Sequence, residues 1–295
     1  MSNSHDERLA KARQRMAAVD VPQQILGRAL SIGCVALEIT QRCNLDCTLC
    51  YRSENSEHVI DIPLEEVLRR FDSIRETYGP YTKVQITGGD PTLRKHDELI
   101  RIVSYARNLE LFPALFTNGI AASRRLLVTL AEAGLKDVAF HVDTTQNRVG
   151  FGDEQSLNTL RLEYIERARG LGLMVIFNTT VHSKNITEIP QLIRFFRRHA
   201  GDIGLVSFRL QAETGRGVWR ASGQEVSIEG VRSLIESVAG RRLPWYVIRI
   251  GHPECHGYLP MLVIGSEIVR VVEDAKLVGD FVAAFSSNHA DRREG

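Results

Sequence analysis

The sequence lacks the long apolar segments that mark membrane and exported proteins. None of its 295 residues belongs to a run that nears the ~18 apolar residues of a membrane-spanning helix. The polar opening segment precedes no apolar stretch of the kind found in secretory signals. An excess of charge of one sign is also lacking, because the formal net charge is +1 and exerts no overall pull toward nucleic acid or acidic membranes. We therefore expect a cytoplasmic protein.

Cysteine is scarce as well. The chain has five cysteines, and this odd number, with no export signal, argues against a disulfide framework. Three of the five, Cys43, Cys47 and Cys50, nevertheless fall within eight residues, and such clustering needs a chemical reason. Cys34 opens an apolar run and is expected to lie in the protein core.

The apolar residues follow two alternating periods that predict strands and helices. In residues 63–78, Leu64, Val67, Leu68 and Phe71 recur on one helical face, and four later stretches behave similarly. The strand-like runs are Cys34–Thr40, Lys83–Thr87, Leu111–Thr117, Asp137–Asp143, Met174–Val181 and Leu205–Leu210. Their starts are mostly roughly 25–35 residues apart, the length of a β–α unit. We predict an α/β fold with a parallel sheet, either doubly wound or a partial barrel.

This alternation covers only part of the chain and predicts three regions. Residues 1–32 form a polar N-terminal arm, residues 33–211 the core, and residues 212–295 a C-terminal extension with a weaker pattern. The loop 212–217 follows the sixth strand and is a candidate lining of a substrate channel, or else a solvated loop. The turn 252–256 holds two histidines, a glutamate and Cys255, and its role stays open.

The spacing of the clustered cysteines is C-x3-C-x2-C, on a loop directly after the first strand. Thiolates favour soft metals, which here means an iron–sulfur cluster or zinc. Structural zinc usually takes four protein ligands, and His58 is a conceivable fourth outside the usual paired spacing. A [4Fe–4S] cluster held by three cysteines leaves one iron open for a ligand. The motif favours the cluster, with zinc or plain burial as alternatives.

A second motif, Gly88-Gly89-Asp90-Pro91, directly follows the second strand. Paired glycines allow a ligand to approach the backbone closely, and an adjacent carboxylate can accept hydrogen bonds from an ammonium group. Taken alone, the motif is more often a simple turn. Its place at the end of a strand, next to the cysteine loop in the predicted sheet, gives it meaning.

The two motifs in this order resemble those of the radical S-adenosylmethionine (SAM) superfamily, over roughly residues 33–211. The family has a cysteine loop after its first strand, a GGEP-like motif after its second, and a partial (β/α)6 barrel fold. Two positions depart from its pattern. The usual aromatic residue before the last cysteine is Leu49, with Tyr51 just beyond the motif, and the usual glutamate is Asp90.

The resemblance implies the cofactors and the reaction. Cys43, Cys47 and Cys50 would hold a [4Fe–4S] cluster whose open iron chelates SAM. One electron from the cluster would cleave SAM to methionine and a 5′-deoxyadenosyl radical, which takes a hydrogen atom from the substrate. The electron would come from a donor such as flavodoxin or ferredoxin. The substrate is an unidentified organic compound, with a small molecule or a lipid weakly favoured and no nucleic acid indicated.

Polar residues at the predicted strand ends supply the candidate site for SAM, because strand ends carry the active site in parallel barrels. The candidates are Tyr51, Gly88, Gly89, Asp90, Asn118, His141, Asp143, Asn178 and Arg209. By resemblance, His141 or Asp143 would approach the ribose, and Asn178 or Arg209 the methionine part. No catalytic residue is named by the sequence. The competing hypothesis is a zinc- or iron–sulfur-containing binding or electron-transfer protein without SAM chemistry.

Overall fold

The computed structural model describes residues 34–52, 56–211, 214–215 and 226–245, together with 259, 261–264, 267–270, 274 and 276–277. The predicted N-terminal arm and the 252–256 turn with Cys255 lie outside the described residues, as does most of the loop 212–217. Within the described ranges, no helix combines the length and the apolar character needed to cross a membrane.

The six predicted strands form one parallel sheet in sequential order. They are β1 (Val35–Thr40), β2 (Lys83–Gly88), β3 (Phe112–Thr117), β4 (Asp137–His141), β5 (Met174–Val181) and β6 (Leu205–Leu210). A doubly wound sheet reverses its strand order at a switch point, whereas a barrel keeps the order of the chain. The described strands show no pairing between β1 and β6. The fold is therefore a partial barrel of the (β/α)6 type.

Helices follow the strands of the sheet, as the apolar periodicity predicts. They are α1 (Leu64–Tyr78), α2 (His96–Asn108), α3 (Arg124–Glu132), α4 (Asn158–Ala168) and α5 (Ile189–Arg198). The apolar face of α1, with Val67, Leu68, Phe71 and Ile74, is buried. Gly79 ends this helix with φ +86°, a conformation that favours glycine.

The two faces of the sheet have different characters. Residues facing the helices are apolar and fully packed, and the rings of Phe140 and Tyr164 lie 4.9 Å apart. Other buried residues on this face are Leu37, Ile86, Leu115 and Phe177. Because strand residues alternate between faces, Glu38, His141 and Asn178 lie on the opposite, inner face. The inner face of the barrel is thus more polar than the helix-covered face.

The predicted extension begins with α6 (Ile228–Ala239), followed by the antiparallel pair β7 (Met261–Ile264) and β8 (Glu267–Arg270). Val231 and Ile235 of α6 pack with Val181 of β5 and Ile189 of α5 in a second apolar cluster. Burial of these apolar side chains stabilises the packing of α6 against the side of the barrel next to β6.

One prediction about the core is wrong. Cys34 is exposed, and its Sγ accepts a hydrogen bond from Gln85 Nε2 at 3.0 Å. The strand begins one residue later, at Val35, on the open edge of the sheet. Among the described strands, β1 pairs only with β2, and the side chain at its start is in contact with solvent.

Candidate active site at the carboxyl-terminal ends of the strands

The cysteine loop, residues 41–50, follows β1 and is hydrogen-bonded to the segment after β2. The Gly89 N–H donates to the Thr40 carbonyl oxygen at 2.9 Å, and the Asp90 N–H donates to that of Arg42 at 2.7 Å. These bonds extend the pairing of β1 and β2 beyond the sheet. They fix the first turn of the cysteine loop against the second motif.

Two further hydrogen bonds hold the other side of this loop. Both the backbone N–H and the hydroxyl of Thr48 donate to the Thr145 carbonyl oxygen, at 2.9 and 3.2 Å. Thr145 lies in the short helical turn Thr144–Gln146 after β4. The cysteine loop therefore spans the strand ends, which we call the rim, from β2 to β4.

The two glycines of the second motif are required by this packing. A Cβ atom on Gly88 would overlap the Thr40 carbonyl oxygen, and one on Gly89 would overlap that of Arg42. Gly88 also has φ +133°, which a residue with a side chain rarely adopts. The two glycines therefore allow the backbone of this segment to lie directly against the backbone of residues 40–42.

The cysteines of the loop are free and half-buried. Burial, followed by the negative charges of Asp143, Cys50 and Cys43, raises the pKa of the Cys47 thiol to about 12. Burial likewise raises the pKa of Cys43, against an opposing hydrogen bond from the Leu45 backbone. A bound metal has to displace the thiol protons, as thiolate ligation does in general.

The donor set fits an iron–sulfur cluster. Within the described ranges, no three His, Cys, Asp or Glu side chains are placed to hold a metal ion. A cluster makes a different demand, because three cysteines bind three different irons and their sulfurs need not converge on one point. Three soft thiolates on one loop, without a fourth protein ligand in that loop, match a cluster with one open iron.

Asp90 is fully buried, and its carboxylate is occupied by neighbours. It accepts hydrogen bonds from the backbone N–H and the hydroxyl of Thr92. It also accepts from the Thr117 hydroxyl at 2.8 Å and from the Asn118 backbone N–H at 2.8 Å. The carboxylate thereby caps the turn Pro91–Leu93 and ties β2 to the end of β3.

Asn118 connects β3 to the cysteine loop. Its side-chain amide nitrogen lies 2.6 Å from Asn44 Oδ1 and 3.8 Å from Cys43 Sγ. Its backbone carbonyl accepts from the Arg148 guanidinium at 2.6 Å. The structure therefore brings this predicted residue directly to the cysteine loop.

Asp143 is also fully buried. Its carboxylate accepts from the backbone N–H and the hydroxyl of Thr145, from the Thr180 N–H at 2.8 Å, and lies 2.6 Å from His141 Nε2. Burial alone would raise its pKa. The charge of His141 and the hydrogen bonds outweigh burial and hold the pKa of Asp143 below its usual range. The His141 side chain itself is 38% exposed.

The remaining predicted residues are spread around the rim and the inner face. The Tyr51 hydroxyl donates to Glu38 Oε1 at 2.8 Å and lies 3.3 Å from the Gly88 carbonyl oxygen. Asn178 is buried and pairs in register with His141 across β4 and β5. Arg209, on β6, is exposed and pairs in register with Thr180 on β5. Arg209 thus lies at the far edge from Tyr51.

Several supporting residues were missed by sequence reasoning. A threonine follows each aspartate by two residues, as Thr92 and Thr145, and this D-x-T pattern was a readable signal for an aspartate that caps a turn. The buried ion pair of Glu154 and Arg161, with Nη2 2.6 Å from Oε2, had no such signal. Glu154 also accepts from the Thr144 N–H at 2.9 Å and so holds the turn after β4.

The loop after β6 approaches the cysteine loop. Gly215 has φ +55°, and a Cβ atom there would overlap the backbone of Tyr51 and Arg52. This contact places Gly215 against the segment that follows the cysteine loop. It is the described part of the loop predicted to line a substrate channel.

Comparison with known proteins identifies the family. The sequence model of the radical SAM superfamily matches residues 37–196, more than half of the chain. The chain belongs to the radical SAM superfamily. The members are enzymes whose cofactors are a [4Fe–4S] cluster and SAM, so the alternative of a binding or electron-transfer protein without SAM chemistry is not favoured.

Curated relatives share the barrel region and differ in what they act on. The 7,8-dihydro-6-hydroxymethylpterin dimethyltransferase of Methanocaldococcus jannaschii is 28% identical over 61% of this chain and 36% of its own length. The PqqA peptide cyclase of Bradyrhizobium diazoefficiens is 28% identical over 54% of this chain and 42% of its own. Fe-coproporphyrin III synthase of Methanosarcina barkeri is 24% identical over 70% and 51%. This chain spans about a third to a half of their lengths.

Solved structures agree with the fold. SuiB of Streptococcus suis, bound to its precursor peptide SuiA, superposes with a TM-score of 0.55 at 17% identity, over 79% of this chain and 50% of SuiB. The SAM-bound anSMEcpe superposes with a TM-score of 0.54 at 14% identity, over 70% of this chain and 59% of that chain. At such identity the likeness concerns the fold alone.

Proposed function

We propose that this chain binds a [4Fe–4S] cluster through Cys43, Cys47 and Cys50 and uses it to cleave SAM reductively, starting radical chemistry on an organic substrate. One observation carries the proposal. The loop with these cysteines is hydrogen-bonded at both sides to the rim of a partial barrel, at Gly89 and at Thr145. A cluster on that loop faces the strand ends, where the active sites of such barrels lie.

When bound, the cluster supplies the electron that breaks the sulfonium–carbon bond of SAM, which yields methionine and a carbon radical on the 5′-deoxyadenosyl group. The chain's own residues hold and orient SAM at the rim. The Gly88–Asp90 segment contributes main-chain atoms, because the Asp90 carboxylate is buried and engaged. Tyr51 is 55% exposed beside the Gly88 carbonyl and offers a ring face at this edge.

Two further contacts to SAM are proposed on the inner face. His141 is partly exposed and fixed in orientation by Asp143, so His141 approaches the ribose and Asp143 acts through it. Asn178 pairs with His141 in register and offers its amide to the methionine part. The exposed guanidinium of Arg209 complements a carboxylate, either that of SAM or that of the substrate.

The substrate is proposed only as an organic molecule. The curated relatives are named for a pterin, a peptide and a porphyrin, and this chain spans less than two thirds of each. Their substrates are therefore not carried over to this chain. A small molecule or a lipid, entering over the polar inner face of the barrel, remains the proposed class.

The partners and the location follow from the chemistry. A flavodoxin- or ferredoxin-like protein would supply the electron. A cluster held by thiolates needs a compartment that keeps thiols reduced, so we propose the cytoplasm. We also propose that residues 33–211 form the catalytic core, with 1–32 as an N-terminal arm and 212–295 as a C-terminal extension.

Anaerobic reconstitution tests the proposal. The protein should bind ~4 irons per chain, the content of one [4Fe–4S] cluster. With SAM and dithionite it should form 5′-deoxyadenosine, detected by chromatography, slowly when no substrate is present. Cys47→Ala is the control and should form none. A preparation with full iron content that binds SAM and forms no more nucleoside than this control, even with cell extract as a substrate source, contradicts the proposal.

A further inference from the structure

The side chain of Asn118 points its amide nitrogen at a cysteine of the cluster loop. This nitrogen carries two N–H donors. One serves Asn44 Oδ1 at 2.6 Å, and Cys43 Sγ lies 3.8 Å from the nitrogen, within reach of the second. Hydrogen bonds from amide N–H groups to sulfur are long because the sulfur atom is large. The pair joins the end of β3 to the proposed cluster ligand.

The orientation of this amide is set by the surrounding chain. Asn118 Oδ1 accepts a hydrogen bond from the Ile120 backbone N–H at 2.9 Å. A backbone N–H can only donate, so the oxygen must face Ile120 and the nitrogen must face Cys43. The side chain is 7% exposed, which leaves little room for it to turn away. The protein itself therefore fixes the direction of this donor.

The backbone of Asn118 is held just as firmly. Its N–H donates to Asp90 Oδ2 at 2.8 Å, and its carbonyl accepts from Arg148 Nη2 at 2.6 Å. The Thr117 hydroxyl, one residue earlier, donates to the same Asp90 carboxylate. Asp90 has no exposed surface. Its position suits a residue that fixes the end of β3 better than one that binds a ligand.

We propose that Asn118 donates a hydrogen bond to the Cys43 thiolate of the cluster and raises its reduction potential, and that Asp90 is the positioning residue for Asn118. This inference rests on the proposed function. A donor to a cluster sulfur stabilises negative charge, and the reduced cluster carries one more negative charge than the oxidised one. Removing the donor makes reduction harder. On this proposal Asp90 makes no direct contact with the ammonium group of SAM.

A redox titration of the reconstituted protein without SAM, followed by electron paramagnetic resonance of the reduced cluster, tests this. Asn118→Leu should shift the reduction equilibrium about threefold to tenfold toward the oxidised cluster, where tenfold equals ~59 mV for one electron. The matched control is Asn185→Leu. It makes the same change at another buried asparagine, after β5, which has no described contact with the cysteine loop, and its potential should equal that of the wild type.

Two more variants keep the test decisive. If Asn118→Leu fails to fold, Asn118→Asp keeps the shape, replaces the donor by an acceptor and should shift the potential in the same direction. Asp90→Asn should shift it less and leave the dissociation constant of SAM, measured by calorimetry, within about twofold. A tenfold loss of SAM affinity in Asp90→Asn with an unchanged potential would instead make Asp90 a SAM ligand and overturn its positioning role.

The failure of this inference is distinct from the failure of the proposed function. Wild-type protein that binds no cluster, or that forms no 5′-deoxyadenosine, refutes the function. Wild-type protein that does both, with equal potentials in wild type, Asn118→Leu and Asn118→Asp, refutes only the role of Asn118.

Discussion

Two aspartates, Asp90 after β2 and Asp143 after β4, occupy the same kind of place and make the same kind of hydrogen bonds. Each is fully buried, caps a short helical turn, accepts two bonds from the threonine two residues later, and reaches the end of the next strand. They differ in their remaining partners. Asp90 meets uncharged donors and supports Asn118, whereas Asp143 meets His141. The same arrangement of a buried, turn-capping aspartate thus supports Asn118 beside the cysteine loop in one case and the titratable side chain of His141 in the other.

The difference shows that one kind of hydrogen-bonded carboxylate can fix the backbone at two places on the rim while the side chains that it supports differ. A buried carboxylate that accepts several hydrogen bonds fixes the backbone around it, because leaving any donor unpaired costs free energy. The cysteine loop is hydrogen-bonded to the Asp90 backbone N–H and to the carbonyl oxygen of Thr145, two residues after Asp143. Both sites therefore hold the proposed cluster ligands in place, and the Asp143 site also orients the partly exposed ring of His141.

The largest effect is expected from removing any one of the three cysteines on the loop that both aspartate sites hold. Cys43→Ala, Cys47→Ala and Cys50→Ala should each abolish the broad visible absorbance and most of the bound iron after anaerobic reconstitution, because each removes a thiolate ligand. Cys34→Ala is the control, since Cys34 lies outside the loop and is exposed. Normal iron content in any of the three variants would remove that cysteine from the site.

The next effect concerns the Asp143 side, where Glu154 and Arg161 form an ion pair whose side chains have no exposed surface. Glu154→Gln leaves the fully buried Arg161 without its counter-charge and should lower the free energy of unfolding by about 3–5 kcal/mol. Denaturant unfolding measures it. Glu163→Gln makes the same change in the exposed pair with Arg167 on α4 and should cost less than about 1 kcal/mol. Equal costs would show that the buried pair does not hold the rim.

A smaller, pH-dependent effect is expected from Asp143→Asn. The pKa of Asp143 is lower in the folded protein than in the unfolded chain, so its charge stabilises the fold above the unfolded pKa of ~3.9. That stabilisation is lost as pH falls through the folded-state value. At neutral pH the variant should lose about 1–3 kcal/mol, and the gap to wild type should narrow below about pH 4. A gap that stays constant in acid would contradict the ionic account.

The smallest effects compare the two threonines. Thr92→Val and Thr145→Val each remove one hydroxyl that donates to a buried carboxylate, to Asp90 and to Asp143 respectively. Each should lower stability by about 1–2 kcal/mol, measured by thermal or denaturant unfolding. Similar losses would support one shared device at the two sites. A loss at only one of them would show that the likeness of the two sites is geometric and not energetic.

Much of the fold was predictable because it depends on local periodicity. The six strands, the helices between them and the place of the cysteine loop follow from spacings of two and 3.6 residues and from glycine and proline at the ends. Cys34 was misjudged, because burial at a strand start depends on whether another strand covers it. Periodicity alone left the choice between a barrel and a doubly wound sheet open, since both have the same alternation, and the resemblance to the radical SAM superfamily predicted the barrel.

The sequence by itself determined the chemistry that this protein can carry, through three soft ligands on one loop and a glycine–aspartate motif after the next strand. The tertiary structure decided how those residues work together. Asp90, Asn118 and Cys43 are far apart in sequence and meet at the rim, as do His141, Asp143 and Thr180. Such contacts depend on strand register and on loop packing between distant segments, and no local spacing encodes them.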